Sequence, residues 1–466
     1  MTGREPGLVI ASTMTRPIRL LAALILSIIA LPATAREIAF VHVNVVPMDR
    51  ERVLRDQTVI VDGDRIVTVG DKLAVPRDAT IIDGERRLWL SPGLTDMHVH
   101  SDTRDDLAVY LANGVTTIAN MGDARASFVG QTSPAAANGA IPGPQVFNAF
   151  VIDGSPAFGH FTATTPAEAR AVVGLAKTNG YRFIKVYNNL APDVFTAVAV
   201  EARRQAMPVV GHGVTRVGIA SQIDQGQLLV AHAEEFFYTF FSRPGAEQTD
   251  AAPPVSRIPD AVALVRSHGV AVGADLVTYG SIMRVIGHPE RVAACLSAPN
   301  AGFVSPADRL AWARSGYVRK TADLRARYTF LQQMVKAMAD ADVELLAGTD
   351  APTVPCVGAG FSLHDDLAEL ERAGLTRFQA LSSATRNAGA FVARTLGEPR
   401  FGVIATGGRA DLVLSRVNPL DQLDTLRHPL GVMAGGRWYD AGALATLLSD
   451  AKSAFANSRN VDGARP

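Results

Sequence analysis

The chain has 466 residues, enough for one large domain and a smaller one. Its 45 Lys plus Arg equal its 45 Asp plus Glu, and no basic stripe alternates with aromatics in the manner that tracks a phosphate backbone. Nucleic acid is therefore excluded as an expected partner. The two cysteines, Cys295 and Cys356, cannot form a disulfide framework, so core burial must carry stability; whether they pair is left open.

From Met14, the stretch "MTRPIRLLAALILSIIALPATAR" carries Arg16 and Arg19, an apolar run from Leu20 to Leu31, and the small residues Ala33-Thr34-Ala35. This is the pattern of a secretory signal peptide over residues 1–35, cut after Ala35, with Met14 as an alternative start. The run is shorter than the roughly 20 apolar residues a membrane span needs. No stable span is expected after cleavage, and the expected destination is the periplasm or the exterior.

Next come "EIAFVHVNVVPMD", "TVIVDGDRIVTVG" and "ATIIDGERRLWLSPG", β-branched runs broken by Asp-Gly turns; "GVIATGGRADLVLSRV" and "GVMAGGRWYD" repeat the pattern near the other end. These segments predict a small β-sandwich domain assembled from residues 36–92 and 400–445, followed by a polar C-terminal tail at 446–466. The middle, 93–399, alternates short apolar runs with helical stretches such as "PAEARAVVGLAKTNG" and "PDAVALVRSHG", each stopped by a glycine. The candidate strands are "LTDMHVH", "VTTIANM", "PQVFNAF", "FIKVY", "MPVVGHG", "LLVAHAEE", "VAVGADLV" and "VELLAGTD". This α/β pattern predicts a (β/α)8 TIM-like barrel, with a doubly wound open sheet as the alternative. Two stretches read as long loops that shape substrate access: "FSRPGAEQTDAAPPVSRIP" after strand six, and Ser281 to Thr329 after strand seven.

The polar residues fall at the C-terminal ends of these strands, where barrels place their chemistry. His98 and His100 end strand one, Lys185 strand four, His212 strand five, His232 strand six and Asp350 strand eight. Side chains alternate along a strand, so Asp96, His98 and His100 project together. Two neutral imidazoles at this spacing can bind one divalent ion with a carboxylate such as Asp350, and His212 with His232 supply ligands for a second. Lys185 is the odd member, because an ammonium facing cations is repelled unless it is neutral or chemically converted. A lone strand histidine is usually a hydrogen-bonded structural residue; the coincidence of so many strand-end placements argues otherwise here. His42, His268, His288 and His428 are read as structural. His160 and His364 lie on loops after strands three and eight, where surface roles come first.

These residues resemble the amidohydrolase superfamily of metal-dependent hydrolases. "LSPGLTDMHVH" looks like its Pro-Gly-Leu-x-Asp-x-His-x-His signature, and "LLAGTDAPT" resembles its Gly-x-Asp at strand eight. The branch it most resembles is the imidazolonepropionase-like group that includes Xaa-Pro and other dipeptidases. The resemblance implies two divalent metal ions, with His98, His100 and Asp350 on one and His212 and His232 on the other. It further implies that Lys185 is an N6-carboxylysine bridging both, which turns a repelling cation into an anionic ligand. Such a donor set suits zinc.

The activity this implies is cleavage of an amide or peptide C–N bond in a small substrate such as a dipeptide or N-acyl amino acid. A metal-bridging hydroxide would attack the carbonyl, with Asp350 as general base and acid. His160, Tyr187 and Tyr238 are candidate substrate contacts, and Glu234 or Glu235 a candidate acceptor that orders His232. An esterase or lactonase on the same fold, and a non-catalytic binding scaffold, are the alternatives; a homo-oligomer is compatible with either.

Overall fold

The computed structural model describes residues 37–462, apart from 244, 245, 247 and 248. The expected signal peptide lies outside the described residues.

The first strands are β1 (Ile38–Val45), β2 (Leu54–Asp62), β3 (Arg65–Gly70), β4 (Thr80–Asp83) and β5 (Trp89–Pro92). β1 pairs antiparallel with β2, and its other edge is shared: β4 runs parallel to its first half and β5 to its second. The chain returns to this sheet at its far end with β15 (Leu412–Ser415), β16 (Gly431–Ala434) and β17 (Arg437–Asp440). β5 joins the two contributions, pairing antiparallel with β15 from Leu412 opposite Pro92 to Ser415 opposite Trp89. The alternating apolar residues of these runs close a common core that includes Phe40, Val59, Leu90, Leu412 and Met433. Phe40 meets Trp438 edge-on with ring centroids 5.2 Å apart.

One glycine after β5, the chain enters the barrel. Its strands are β6 (Leu94–Val99), β7 (Val115–Asn120), β8 (Gln145–Asp153), β10 (Phe183–Val186), β11 (Val209–Gly211), β12 (Gln227–Val230), β13 (Ala271–Gly273) and β14 (Leu345–Leu346), with the short β9 (Phe161–Thr162) on the end of β8. All neighbours run parallel, in chain order. The strands are buried on both faces, as crossover helices require, which is why they read as near-continuous apolar runs.

Closure comes just past β14. Met97 N–H donates to Ala347 O at 2.9 Å, Asp350 N–H to His98 O at 2.8 Å, and His100 N–H to Ala351 O at 2.7 Å. The seam of the barrel therefore runs directly between the His-x-His and the Asp of strand eight, and an open sheet is excluded.

The stretch Ser281 to Thr329 is not the loop its composition suggested. It holds the end of helix Leu276–Val285, then Pro289–Ser297 and Pro306–Ala313, and the start of Arg325–Asp340. Pro289 and Pro306 stand in the first turns of their helices, where a missing N–H costs nothing, and Ser305 accepts from Asp308 N–H as a cap. Cys295 and Cys356 are disulfide-bonded, tying this insertion to the segment after strand eight. Trp312 Nε1 donates to Pro352 O at 2.7 Å and Ser281 Oγ to Pro355 O at 2.7 Å, so the insertion grips that segment at three points.

The C-terminal end differs from the expected polar tail as well. Residues Ala441–Asp462 form one helix, whose Leu444, Ala451 and Phe455 enter the main core cluster. Its apolar residues recur at helical spacing and cover the barrel flank.

Candidate metal centre

His98, His100, Lys185, His212, His232 and Asp350 all converge at one mouth of the barrel. The Nζ of Lys185 lies 3.0 Å from His98 Nε2 and 3.5 Å from His100 Nε2. Asp350 Oδ1 lies 3.3 Å from His98 Nε2 and 3.1 Å from His100 Nε2. The rings of His98 and His232 are 4.2 Å apart, and those of His212 and His232 are 5.0 Å apart.

The backbone is shaped for this approach. Asp350 holds a left-handed conformation, with φ 57°, as does Asp275 just past β13, with φ 41°. Gly348, two residues before Asp350, is required by crowding: a Cβ there would collide with Asp275 Oδ1 and press on the Cβ of His98. Asp96 accepts from Thr349 Oγ1 at 2.7 Å and from His98 N–H at 3.2 Å, clamping strand one to strand eight under the site.

Acceptor oxygens stand on the far sides of the rings, hydrogen-bonded to His100 and His98 and at ion-pair distance from His212 and His232. His100 Nδ1 lies 3.2 Å from Gly122 O, and a carbonyl only accepts, so this nitrogen carries the proton and Nε2 keeps its lone pair. His98 Nδ1 faces Ala231 O at 3.5 Å and Asp275 Oδ2 at 3.5 Å, with the same consequence. His212 Nδ1 is 2.9 Å from Glu235 Oε1, and Glu235 is itself fixed by Gly213 N–H at 3.0 Å. His232 Nδ1 is 2.8 Å from Asp275 Oδ2. Of the expected acceptors, Glu235 thus serves His212 rather than His232, and Asp275, which the sequence reading passed over, serves His232. The cause is lateral: the carboxylate of the next strand over reaches the ring, not the nearest one in sequence.

This donor set fits a cation. Two Nε2 nitrogens and a carboxylate oxygen point at one small volume beside Lys185 Nζ, a set of ligand types that binds divalent ions. The ligand atoms of His98, His100 and Asp350 lie within 4.8 Å of one another, as do those of His98, His232 and Asp275.

The electrostatics agree. Burial, reinforced by the charge of Lys185, holds the imidazoles of His98 and His212 well below their usual range. Burial likewise lowers the Lys185 amine to about 8, although Asp350 and Asp123 oppose it. Glu234 and Glu235 are pushed up to about 7, mainly by burial. For Asp350, burial works against ionisation, but its neighbours His100, His232 and Lys185 outweigh it and keep the carboxyl below the ordinary range.

The candidate substrate contacts are placed unequally. Tyr187 lies over His212 with centroids 4.2 Å apart, and with Tyr238 it lines a cavity of about 720 Å³ that reaches His212 and Glu235. Phe158, Tyr279, Tyr317, Lys320 and Arg327 complete much of its wall. His160 packs behind Tyr187, centroids 4.4 Å apart, and pairs with Asp123 at 3.0 Å, so it props the wall. His364 is a correction: it lies not on a surface loop but buried in helix Phe361–Arg372, where its Nε2–H donates to Asn113 O at 2.9 Å. A second groove of about 590 Å³, lined by Asp49, Glu344, Phe378 and Arg386 among others, opens at the N-terminal end of β14 and holds none of the convergent residues.

Several solved structures share this fold. Bottromycin amidohydrolase is 25% identical with a TM-score of 0.71, the match covering 91% of each chain. A Xaa-Pro dipeptidase with bound methionine is 18% identical with a TM-score of 0.61, covering 87% of this chain and 100% of its own. A. niger ochratoxinase is 19% identical with a TM-score of 0.63, covering 87% and 96%. Among curated proteins, none matches the chain. Residues 89–439 match the Amidohydrolase family, a span that takes in every residue of the centre together with β5 and the returning strands. The barrel, the convergent histidines and this match together make the chain a member of the amidohydrolase family, a hydrolase acting on C–N bonds.

Proposed function

We propose that the protein is an exported, binuclear metal-dependent amidohydrolase that cleaves the amide bond of a dipeptide or an N-acyl amino acid. The observation that carries this reading is the meeting of His98 Nε2, His100 Nε2, Asp350 Oδ1 and Lys185 Nζ in one buried volume. His98, His100 and Asp350 would hold one divalent ion and His212 and His232 the other, with Lys185, carboxylated on Nζ, between them. Zinc suits this donor set. Bound there, the two ions would supply Lewis acidity, lowering the pKa of water and polarising the substrate carbonyl.

The chain's own residues do the rest. Asp350 is ionised and in contact with both imidazoles of the His-x-His, so it is placed to take a proton from the attacking water and return it to the leaving nitrogen. Lys320 and Arg327 are cations on the wall of the adjoining cavity, a match for the carboxylate that a dipeptide and an N-acyl amino acid both carry. Arg327 is held there by stacking over Phe237 and Tyr238, at 4.7 and 5.7 Å from the ring centroids. Tyr187, Tyr238 and Phe158 offer apolar surface to a side chain. Export is supported by the leader-like segment ending at Ala35 and by the Cys295–Cys356 disulfide, a bond that persists in oxidising compartments.

A panel of dipeptides, N-acyl amino acids and lactones tests the reading. Amide substrates with a free carboxylate should turn over fastest. Preferential opening of lactones, with amides untouched, would replace this reading with an esterase.

A further inference from the structure

Asp275 faces two imidazoles of the centre at once. It lies just past β13, at the cap of helix Leu276–Val285, is fully buried and holds a left-handed backbone. Both carboxylate oxygens are buried without a hydrogen-bond partner of good geometry, and Oδ2 faces two imidazoles at ion-pair distance. Oδ2 is 2.8 Å from His232 Nδ1 and 3.5 Å from His98 Nδ1. His232 Nδ1 is likewise buried without a hydrogen-bond partner of good geometry. A buried carboxylate so poorly provided for is costly, so its position needs a reason.

One reading makes Asp275 a ligand of a cation shared with His98 and His232, whose atoms are close enough. The His98 ring argues against it. A neutral imidazole has one N–H, and His98 Nδ1 faces Ala231 O at 3.5 Å, a carbonyl that only accepts, so Nδ1 carries the proton and donates. A donor on His98 and a donor on His232 then face the same oxygen.

We propose that Asp275 is a shared positioning residue, whose one carboxylate accepts the Nδ1–H of both His98 and His232 and so couples the occupancy of the two metal half-sites. His98 belongs to one half-site and His232 to the other, so this inference rests on the two-metal reading given above. Orienting acceptors behind ligand imidazoles commonly govern metal affinity by about 10- to 100-fold. Here one residue does so for two ions. Gly348 keeps the carboxylate in place, since any side chain there would displace it.

The test uses the mature chain loaded with zinc and bicarbonate, in the parent, Asp275→Asn and Asp275→Ala forms. Metal per chain is measured after dialysis against a graded chelator, and thermal unfolding of each metal-free form is recorded. The parent should retain two equivalents; Asp275→Ala should release both together at a chelator concentration at least about 10-fold lower. Asp275→Asn keeps an acceptor oxygen and the shape of the side chain, and should fall between them. The metal-free variants should unfold no lower than the metal-free parent, because the change removes a buried acid. Equal chelator resistance, early release of one equivalent alone, or a metal-free variant that unfolds earlier than its parent would each overturn the shared role. A parent that binds no metal would overturn the two-metal reading itself, a result distinct from all of these.

Discussion

Lys185 Nζ lies 3.0 Å from His98 Nε2, in a pocket where the lysine is 1% exposed. An amine in that place is held largely by burial at a pKa of about 8, against 10.5 for a free lysine. Carboxylation consumes the neutral amine, so the metal-free protein is prepared for it near neutral pH. Reconstitution with zinc at a constant concentration of dissolved CO2 should therefore accelerate from about pH 6.5 to about 8.5 and level off above, as the amine loses its proton. Lys185→Met should fail to recover activity at any bicarbonate concentration. Recovery that is independent of both pH and bicarbonate would remove the carboxylated lysine from the account.

Asp350 contacts both imidazoles of the His-x-His through one oxygen. Replacing it with Asn should cut kcat by about 100- to 10,000-fold, the range of a general acid–base residue, while only part of the metal is lost. The check is steady-state turnover with metal content measured on the same preparation.

For Arg327→Met, the apolar stack over Phe237 is kept and the charge is removed. KM for a substrate with a free carboxylate should rise by about 10- to 100-fold, the worth of one charge-assisted hydrogen bond, with kcat little changed. The amide of the same substrate, lacking the carboxylate, should show no such change between parent and variant.

How much of this was legible without coordinates depended on the distance over which each feature is encoded. His98 and His100 declare themselves through the two-residue period of a strand, and the strand-end rule drew Lys185, His212, His232 and Asp350 to the same mouth. Asp275 carried the same signal, a strand-terminal acid in "VAVGADLV", and was missed because its partners are imidazoles on other strands. Glu235 was matched to His232, its neighbour in sequence, when the pleat and the turn after β12 deliver it to His212. The helices between Ser281 and Thr329 are short and separated by proline-led turns, and they are held by tertiary contacts such as Trp312 to Pro352. Helix Ala441–Asp462 hid for the opposite reason: its small, mixed residues look polar, and only the barrel flank shows which of them are buried.

The Cys295–Cys356 bond closes a loop of 61 residues and ends six positions after Asp350. Cys356→Ser should lower stability by roughly 2–4 kcal/mol. It should also loosen the segment that carries Asp350, seen as faster proteolysis between 350 and 360. Denaturant unfolding of the oxidised parent and the variant gives the comparison.

His364 is buried, and burial lowers its pKa to about 4, well under the 6.5 of a free imidazole. The unfolded chain therefore binds a proton that the native one refuses between pH 6.5 and 4. Its share of stability is complete above pH 6.5 and declines as the pH falls through that window. In His364→Gln the loss of unfolding temperature from pH 7 to pH 5 should be shallower than in the parent. An identical loss in both would show that other groups set the acid response.

The central claim is that metal held by these histidines and Asp350 drives hydrolysis of an amide bond. Metal content and dipeptide or N-acyl amino acid turnover, followed on one sample through chelation and zinc–bicarbonate reloading, test it most directly. The account predicts about two equivalents per chain, activity lost with the metal and regained on reloading. Full turnover in the metal-free protein would contradict it.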